Sequence, residues 1–170
     1  MKTLDSNLDL KSNKNTYAVS VLIALLLVAV LLATYYIVIR PSPDMYVTID
    51  LLDANRKAVD YPEFLVANVN STFSVYVYVE NHLGRTLNGT EVQVKVSSSP
   101  NPSFPLDVNA TQTLTETILQ NGETWETIAT VSLDQPGNYL VVFELWIPND
   151  SGMLVYSGVF TSLNIQVAAQ

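Results

Sequence analysis

The chain has no cysteine and a single histidine, His82, among its 170 residues. The first absence excludes a disulfide framework and any thiolate metal site. The second removes most zinc centres, and any Ser/His/Asp arrangement would have to pass through that one imidazole. Charge is scarce, at 14% of residues, and glycine occurs only six times. There is no internal repeat and no long low-complexity tract. Of the whole chain 48% is apolar, in a length that suits one domain and can bury a core.

The longest uncharged run is the most informative segment. From Tyr17 to Ile39 no charge occurs in 23 residues, and a helix of that length at about 1.5 Å per residue spans roughly 34 Å, enough for a bilayer core. Tyr17 at one end and Tyr35 and Tyr36 near the other suit the two membrane interfaces. A cleaved secretory signal is the competing reading, but its apolar region runs only about 7 to 15 residues. The segment is therefore expected to be retained as a single-pass anchor in membrane lipid. Lys2, Lys11 and Lys14 precede it, and Arg40 is the only basic residue in the next 15 or so, about the distance over which orientation is set. The N-terminus is expected in the cytosol and the rest of the chain outside the cell membrane.

Through Arg40 there are four basic and two acidic residues; from Pro41 onward there are four basic and fourteen acidic, a net of −10. Such a surface repels nucleic acid and anionic lipid, so neither is expected as a partner. The expected organisation is a cytosolic tail at 1–16, the anchor at 17–39, a linker at 40–45 stiffened by Pro41 and Pro43, and an extracytoplasmic domain at 46–170.

Beyond the linker the apolar period becomes two. In STFSVYVYVE, Phe73, Val75, Val77 and Val79 alternate with Ser74, Tyr76, Tyr78 and Glu80, which predicts a strand with one core face. EVQVKV and SLNIQV repeat the pattern, and YVTIDLL, ETWETIATVSL and NYLVVFELWI read as further strands; SSSPNPSFP, DQPGN and PNDSG read as loops. Seven or so short strands and no helix after the anchor predict an all-β fold: an antiparallel immunoglobulin-like β-sandwich preceded by a single transmembrane α-helix, with a jelly roll as the alternative. Without a disulfide the core is closed by packing, and Trp125 and Trp146 are the expected large core residues.

Candidate sites are few. VENHLGRTLNGT, Val79 to Thr90, reads as the connection between two strands, with Gly84 and Gly89 supplying positive φ. His82 within it is expected to be a loop residue, since no second histidine or cysteine exists to complete a cluster. Asn88 begins one N-glycosylation triplet, and Asn70, Asn109 and Asn149 begin three more. The 11 Asn and 23 Ser or Thr in the 130 residues after Arg40 would give about two such triplets by chance, so N-glycans and accidental triplets both stay open. Glu123 and Glu126 are three apart on a strand and so lie on opposite faces. DANRKAVDYPEF opens like a calcium loop but has Ala58 where glycine is required and Phe64 where a bidentate Glu belongs; a weaker calcium site at Asn149 and Asp150 is the remaining metal reading.

One strand carries an apolar surplus. NYLVVFELWI places Leu140, Val142 and Trp146 on one face and Tyr139, Val141 and Phe143 on the other, while Tyr76 and Tyr78 oppose a core face. A strand of a two-layer sandwich has one buried face, so the second needs cover. A protein partner on Tyr76, Tyr78, Tyr139, Val141 and Phe143 is one expectation; cover by the loop SSSPNPSFPLDV is the other.

The stretch from LLDANRKAVDYPEFL through VENHLGRTLNGT, with NGETWETIATVSLDQPGNYLVVFELW and the closing LNIQV, resembles an archaeal membrane-anchored family known as domain of unknown function 1616. The resemblance spans Met45 to Val167 in order and spacing. It implies an archaeal source and a surface-exposed β-domain, and no activity, cofactor or catalytic residue. Many members have several membrane helices before the domain, whereas here there is one. The expected function is an interaction or scaffold module, an accessory subunit of a membrane or cell-envelope complex. The first alternative is a pilin-like filament subunit, against which Lys14-Asn15-Thr16 lacks the small residue that processing favours. The second is a surface enzyme, built from acids such as Asp60, Glu63 and Asp150, or a ligand-binding domain.

Overall fold

The computed structural model describes residues 6–38, 44–99 and 101–170. The expected linker at 40–45 lies mostly outside the described residues, as does Ile39. Two compact units are present, split between Pro43 and Asp44.

The first unit contains one helix, α1 (Ser6–Val38), 33 residues long. No Gly or Pro interrupts it, so it starts well before the apolar run. Tyr17–Ile37 has a mean hydropathy of 2.7 and none of it is buried. Thr34, the polar exception near its end, donates its hydroxyl back to the Val30 carbonyl at 2.8 Å, which satisfies the group without a partner helix. This helix is long and apolar enough to cross a membrane.

The second unit is a two-sheet β-sandwich of immunoglobulin-like type. Its strands are β1 (Tyr46–Leu52), β2 (Phe64–Val66), β3 (Thr72–His82), β4 (Leu87–Ser97), β5 (Gln112–Leu119), β6 (Thr124–Ser132), β7 (Gly137–Pro148) and β8 (Leu154–Ala168). β1, β3 and β6 form the smaller sheet, and the larger has the order β2-β8-β7-β4-β5. All pairings are antiparallel except β2 with β8, which run parallel over Phe64–Val66 and Gln166–Ala168. That exception arises because residues 53–63 cross from the end of β1 to the other sheet.

Alternation explains most of the core. Val47, Ile49 and Leu51 of β1 and Val75, Val77 and Val79 of β3 face inward, against Val92 and Val94 of β4, Val141, Phe143 and Leu145 of β7, and Leu163 and Ile165 of β8. Each such side chain stabilises the fold by roughly 1.5–3 kcal/mol through removal from water. Trp125 belongs to this core. Trp146 does not: it lies on the outer face of β7, half-buried, because it shares the parity of Glu144.

The opening of β4 also differs from expectation. β3 continues to His82 and β4 begins at Leu87, so the connection is only residues 83–86 and Asn88, Gly89 and Thr90 lie within β4. Asn81 makes the short turn self-sufficient. Fully buried, its amide donates to the carbonyls of Arg85 and Leu119, both at 2.9 Å, and its Oδ1 accepts from the Leu83 N–H at 3.0 Å. Its backbone bonds Glu123 and Gly122 in the β5–β6 turn, where Gly122 has φ of 81°.

Candidate functional site

Four features hold the chemistry-bearing side chains: the two outer faces, a cleft at one end, and the turns.

On the larger sheet, cross-strand pairing puts Leu140, Val142, Glu144 and Trp146 outward, with Lys95 opposite Val142 and Gln93 opposite Glu144. Lys95 Nζ lies 2.9 Å from Glu144 Oε2, with side-chain exposures of 6% and 0%. The ammonium also donates to the Leu106 carbonyl at 2.9 Å, and the Leu106 N–H donates to Glu144 Oε1. The Trp146 indole donates to Glu144 Oε2 at 3.4 Å, and Lys95 Nζ stands 5.5 Å from the indole centroid. Tyr156, with its ring 5.9 Å from Trp146, has its phenol pushed up by burial and then by the Glu144 carboxylate. Residues 101–111 form a strap over this cluster, with Ser98 and Ser99 at its root, held by Phe104 stacked on Phe160 at 3.8 Å and by Thr111, which bonds the Val94 carbonyl through both its N–H and its hydroxyl. Val142 and Leu106 are buried, yet stand apart from the inter-sheet core. The strap is therefore a local third layer, and a buried pair whose charges are both further hydrogen-bonded is a closed structural cluster.

This arrangement corrects the expected partner surface. Val141 and Phe143 are fully buried between the sheets and present nothing outward. Tyr139 is half-buried against the same core, its hydroxyl donating to the Gln135 carbonyl at 3.1 Å. The face needing cover is the one bearing Glu144, and residues 101–108 of the loop SSSPNPSFPLDV supply that cover.

Tyr76 and Tyr78 do point out from the smaller sheet, both half-buried. Leu52 and Ile128 flank Tyr76, and Asp50 and Glu126 flank Tyr78. Arg56 bridges the group, 5.2 Å from the Tyr76 centroid and 2.9 Å from Glu126. Ile128 remains 48% exposed, so this face is partly open.

An open cleft of about 610 Å³ lies at the end of the larger sheet, between the Tyr61–Glu63 segment and Ser98 and Ser99 at the root of the strap. Its floor is the start of β7 and the end of β8. This is the end of the domain where β1 finishes, since the Tyr61 hydroxyl, bonded to the Leu51 carbonyl, stands at the cleft. The chain enters at the other end, where Tyr46 pairs with His82.

Asn70, Asn88 and Asn109 are exposed. Thr90 of the Asn88 triplet is buried, with its hydroxyl unpartnered. Asn149 Oδ1 accepts from Ser151 N–H, Ser151 hydroxyl and Met153 N–H, so the side chain is committed to the β7–β8 turn rather than to a cation. His82 ends β3, stacked on Tyr46 at 4.7 Å with Nε2 3.4 Å from Glu80. Asp53 accepts from the N–H groups of Asn55 and Lys57 at 2.8 Å, which shapes the following turn. Glu63 adjoins Gln166 near the start of β7, while Asp150 follows its far end. A strand of that length separates them by roughly 30 Å, so the expected acid set of Asp60, Glu63 and Asp150 does not converge. Among the described residues no group of three or more His, Asp or Glu could hold a metal ion.

No family model matches the chain, and no curated protein matches it. Solved structures do. The crystal structure of the CARDB domain of a Pyrococcus furiosus protein, in complex with di-metal ions, superposes with a TM-score of 0.51 at 13% identity, over 76% of this chain and all of that one. The solution structure of the same domain gives 0.49 at 14%, over 72% and 94%. The soluble domain of PmoD from a Methylocystis species gives 0.34 at 14%, over 75% and 95%. At such identities the likeness to the CARDB domain is one of fold.

Sequence reasoning missed Lys95, Glu144 and Asn81. Glu144 carried a usable signal: it is the one charge in the apolar run from Tyr139 to Pro148, and its parity marks the outer face.

Proposed function

We propose that the chain is a single-pass membrane protein with a cytosolic N-terminus, whose extracellular β-sandwich is an interaction or scaffold module, an accessory subunit of a membrane or cell-envelope complex. The observation that carries this reading is the asymmetry of the two outer faces. One is sealed by the chain's own strap; the other leaves Tyr76, Tyr78 and Ile128 partly open, on a domain that follows an unburied apolar helix. The partner surface is thereby narrowed to the smaller sheet. Membership in the archaeal family that the sequence resembles belongs to the same proposal, as do N-glycans at Asn70, Asn88, Asn109 and Asn149.

Photo-crosslinking in native membranes tests this reading. A photoreactive residue replacing Ile128 is expected to capture a discrete neighbour, whereas one replacing Thr113 on the larger sheet is not. Intact mass of the isolated protein reads glycans and cleavage in the same preparation. A chain that is monomeric, captures nothing through Ile128 and lacks its N-terminal helix would sink the proposal.

A further inference from the structure

The cleft at the end of the larger sheet has a floor built by strand pairing. Asn138 lies opposite Gln166, Leu140 opposite Asn164 and Val142 opposite Ser162, so Asn138, Leu140, Ser162, Asn164 and Gln166 stand on one face within side-chain reach of each other. Leu140 and Gln166, with Asn138, Ser162 and Asn164, all line the cleft. The Asn164 and Gln166 side chains are exposed. Unlike Asn81 or Asn149, whose amides are tied into turns, these amides and the Ser162 hydroxyl stand free above the sheet.

The chemistry of this lining selects among ligands. No Lys, Arg or His borders the cleft and Glu63 does, in a domain of net charge −10 from Pro41 onward, so an anionic ligand meets repulsion. A lipid chain would leave three amides and a hydroxyl without water or partners, a penalty that opposes binding. The floor consists of side chains standing on the paired strands β7 and β8, so a ligand lying on it is read by side chains, while the β8 edge that β2 leaves unpaired before Gln166 lies at the margin. A neutral ligand with many hydroxyls fits each feature. The amides and Ser162 both donate and accept, while half-buried Leu140 and the Tyr139 ring at the margin suit its C–H faces. The volume lies within the span of about 300–1,000 Å³ usual for small-molecule sites and exceeds a single sugar ring.

We infer that this cleft binds a neutral oligosaccharide, with Asn138, Asn164 and Gln166 as hydrogen-bonding residues and Leu140 beneath the sugar. It lies at the end of the domain opposite Tyr46, where β1 begins. The inference stands on the cleft alone and does not depend on a protein partner at the smaller sheet.

The test uses the full chain in phosphatidylcholine nanodiscs, which avoids sugar-headed detergents that would compete. Saturation-transfer NMR is run with linear tetrasaccharides of glucose, mannose and N-acetylglucosamine, and with tetragalacturonate as the charged control. At least one neutral tetrasaccharide is expected to receive saturation. Its affinity is expected to fall about tenfold in Asn164→Ala/Gln166→Ala, the effect of losing two hydrogen bonds, and to be unchanged in Thr113→Val on the same face at β5. Absence of transfer to all three neutral probes overturns the inference. So does stronger binding of tetragalacturonate, or an equal loss in Thr113→Val.

Discussion

Replacing Lys95 by Met should damage this fold more than any other change on an outer sheet face. The side chains are similar in length, so packing under the strap is largely kept while the ammonium disappears. Glu144, with no exposure, then keeps a carboxylate that has lost its counter-ion, and removal of one partner from a buried pair costs about 3–5 kcal/mol. The Leu106 carbonyl also loses its donor, adding about 1 kcal/mol. Against a total stability of about 5–15 kcal/mol this is a large fraction; at roughly 3–5 °C per kcal/mol for a domain of this size, the midpoint should fall by about 12–30 °C. Near-UV circular dichroism of the full chain in nanodiscs follows the transition through Trp125 and Trp146. Lys95→Met/Glu144→Gln should recover about half of the loss, because the amide removes the stranded charge while its oxygen still accepts from the Leu106 N–H. Hydrogen exchange supplies the local readout, with the Leu106 amide expected to exchange faster in Lys95→Met than in the double variant. A single variant within 1 kcal/mol of the parent, or a double variant no better than the single, would refute the idea that this pair anchors the strap.

Asn81→Ala strands the Arg85 and Leu119 carbonyls and the Leu83 N–H in a fully buried site; a loss of about 2–4 kcal/mol is expected, read as a lower urea midpoint at unchanged slope. Asp53 should make stability depend on acid. The Lys57 N–H bonded to its carboxylate, helped by Asn55, holds it below the usual carboxylate range despite desolvation. A folded pKa below the unfolded one means that its contribution is present above about pH 4 and is lost as pH falls through the folded value. Asp53→Asn should therefore be less stable than the parent at neutral pH, with the difference shrinking below about pH 4; urea midpoints that fall in parallel across that range would contradict this.

The strength and limit of alternation as a signal both show in these strands. Where one parity is apolar and the other polar, as in Phe73 to Glu80 or Glu91 to Val96, strand and core face are legible from the sequence and the structure agrees. The segment from Tyr139 to Pro148 is apolar at both parities, so its β-branched and aromatic content between Gly137 and Pro148 marks a strand, while the missing alternation leaves its orientation undecided. Orientation is instead set by the lone Glu144, which cannot enter the inter-sheet core without a partner and finds Lys95 on the neighbouring strand. That pairing joins positions 49 apart, which is why no local pattern reveals it. β2 escaped notice for a different reason: three residues contain too little alternation to register, and its parallel pairing depends on where the 53–63 crossover lands.

The cleft was equally invisible in the chain. Asn138, Asn164 and Gln166 look like ordinary exposed residues of strand ends, and only the β7–β8 register sets them on one face around Leu140. The strap that takes the apolar middle of that face also walls the polar end, through Ser98 and Ser99 at its root. One loop thus accounts for both outcomes on the larger sheet: it removes Val142 and Trp146 from contention as a partner surface, and it leaves a bounded patch of neutral hydrogen-bonding groups. On the proposed reading, a protein partner is accordingly directed to Tyr76, Tyr78 and Ile128 on the smaller sheet, and a small neutral ligand to the larger one.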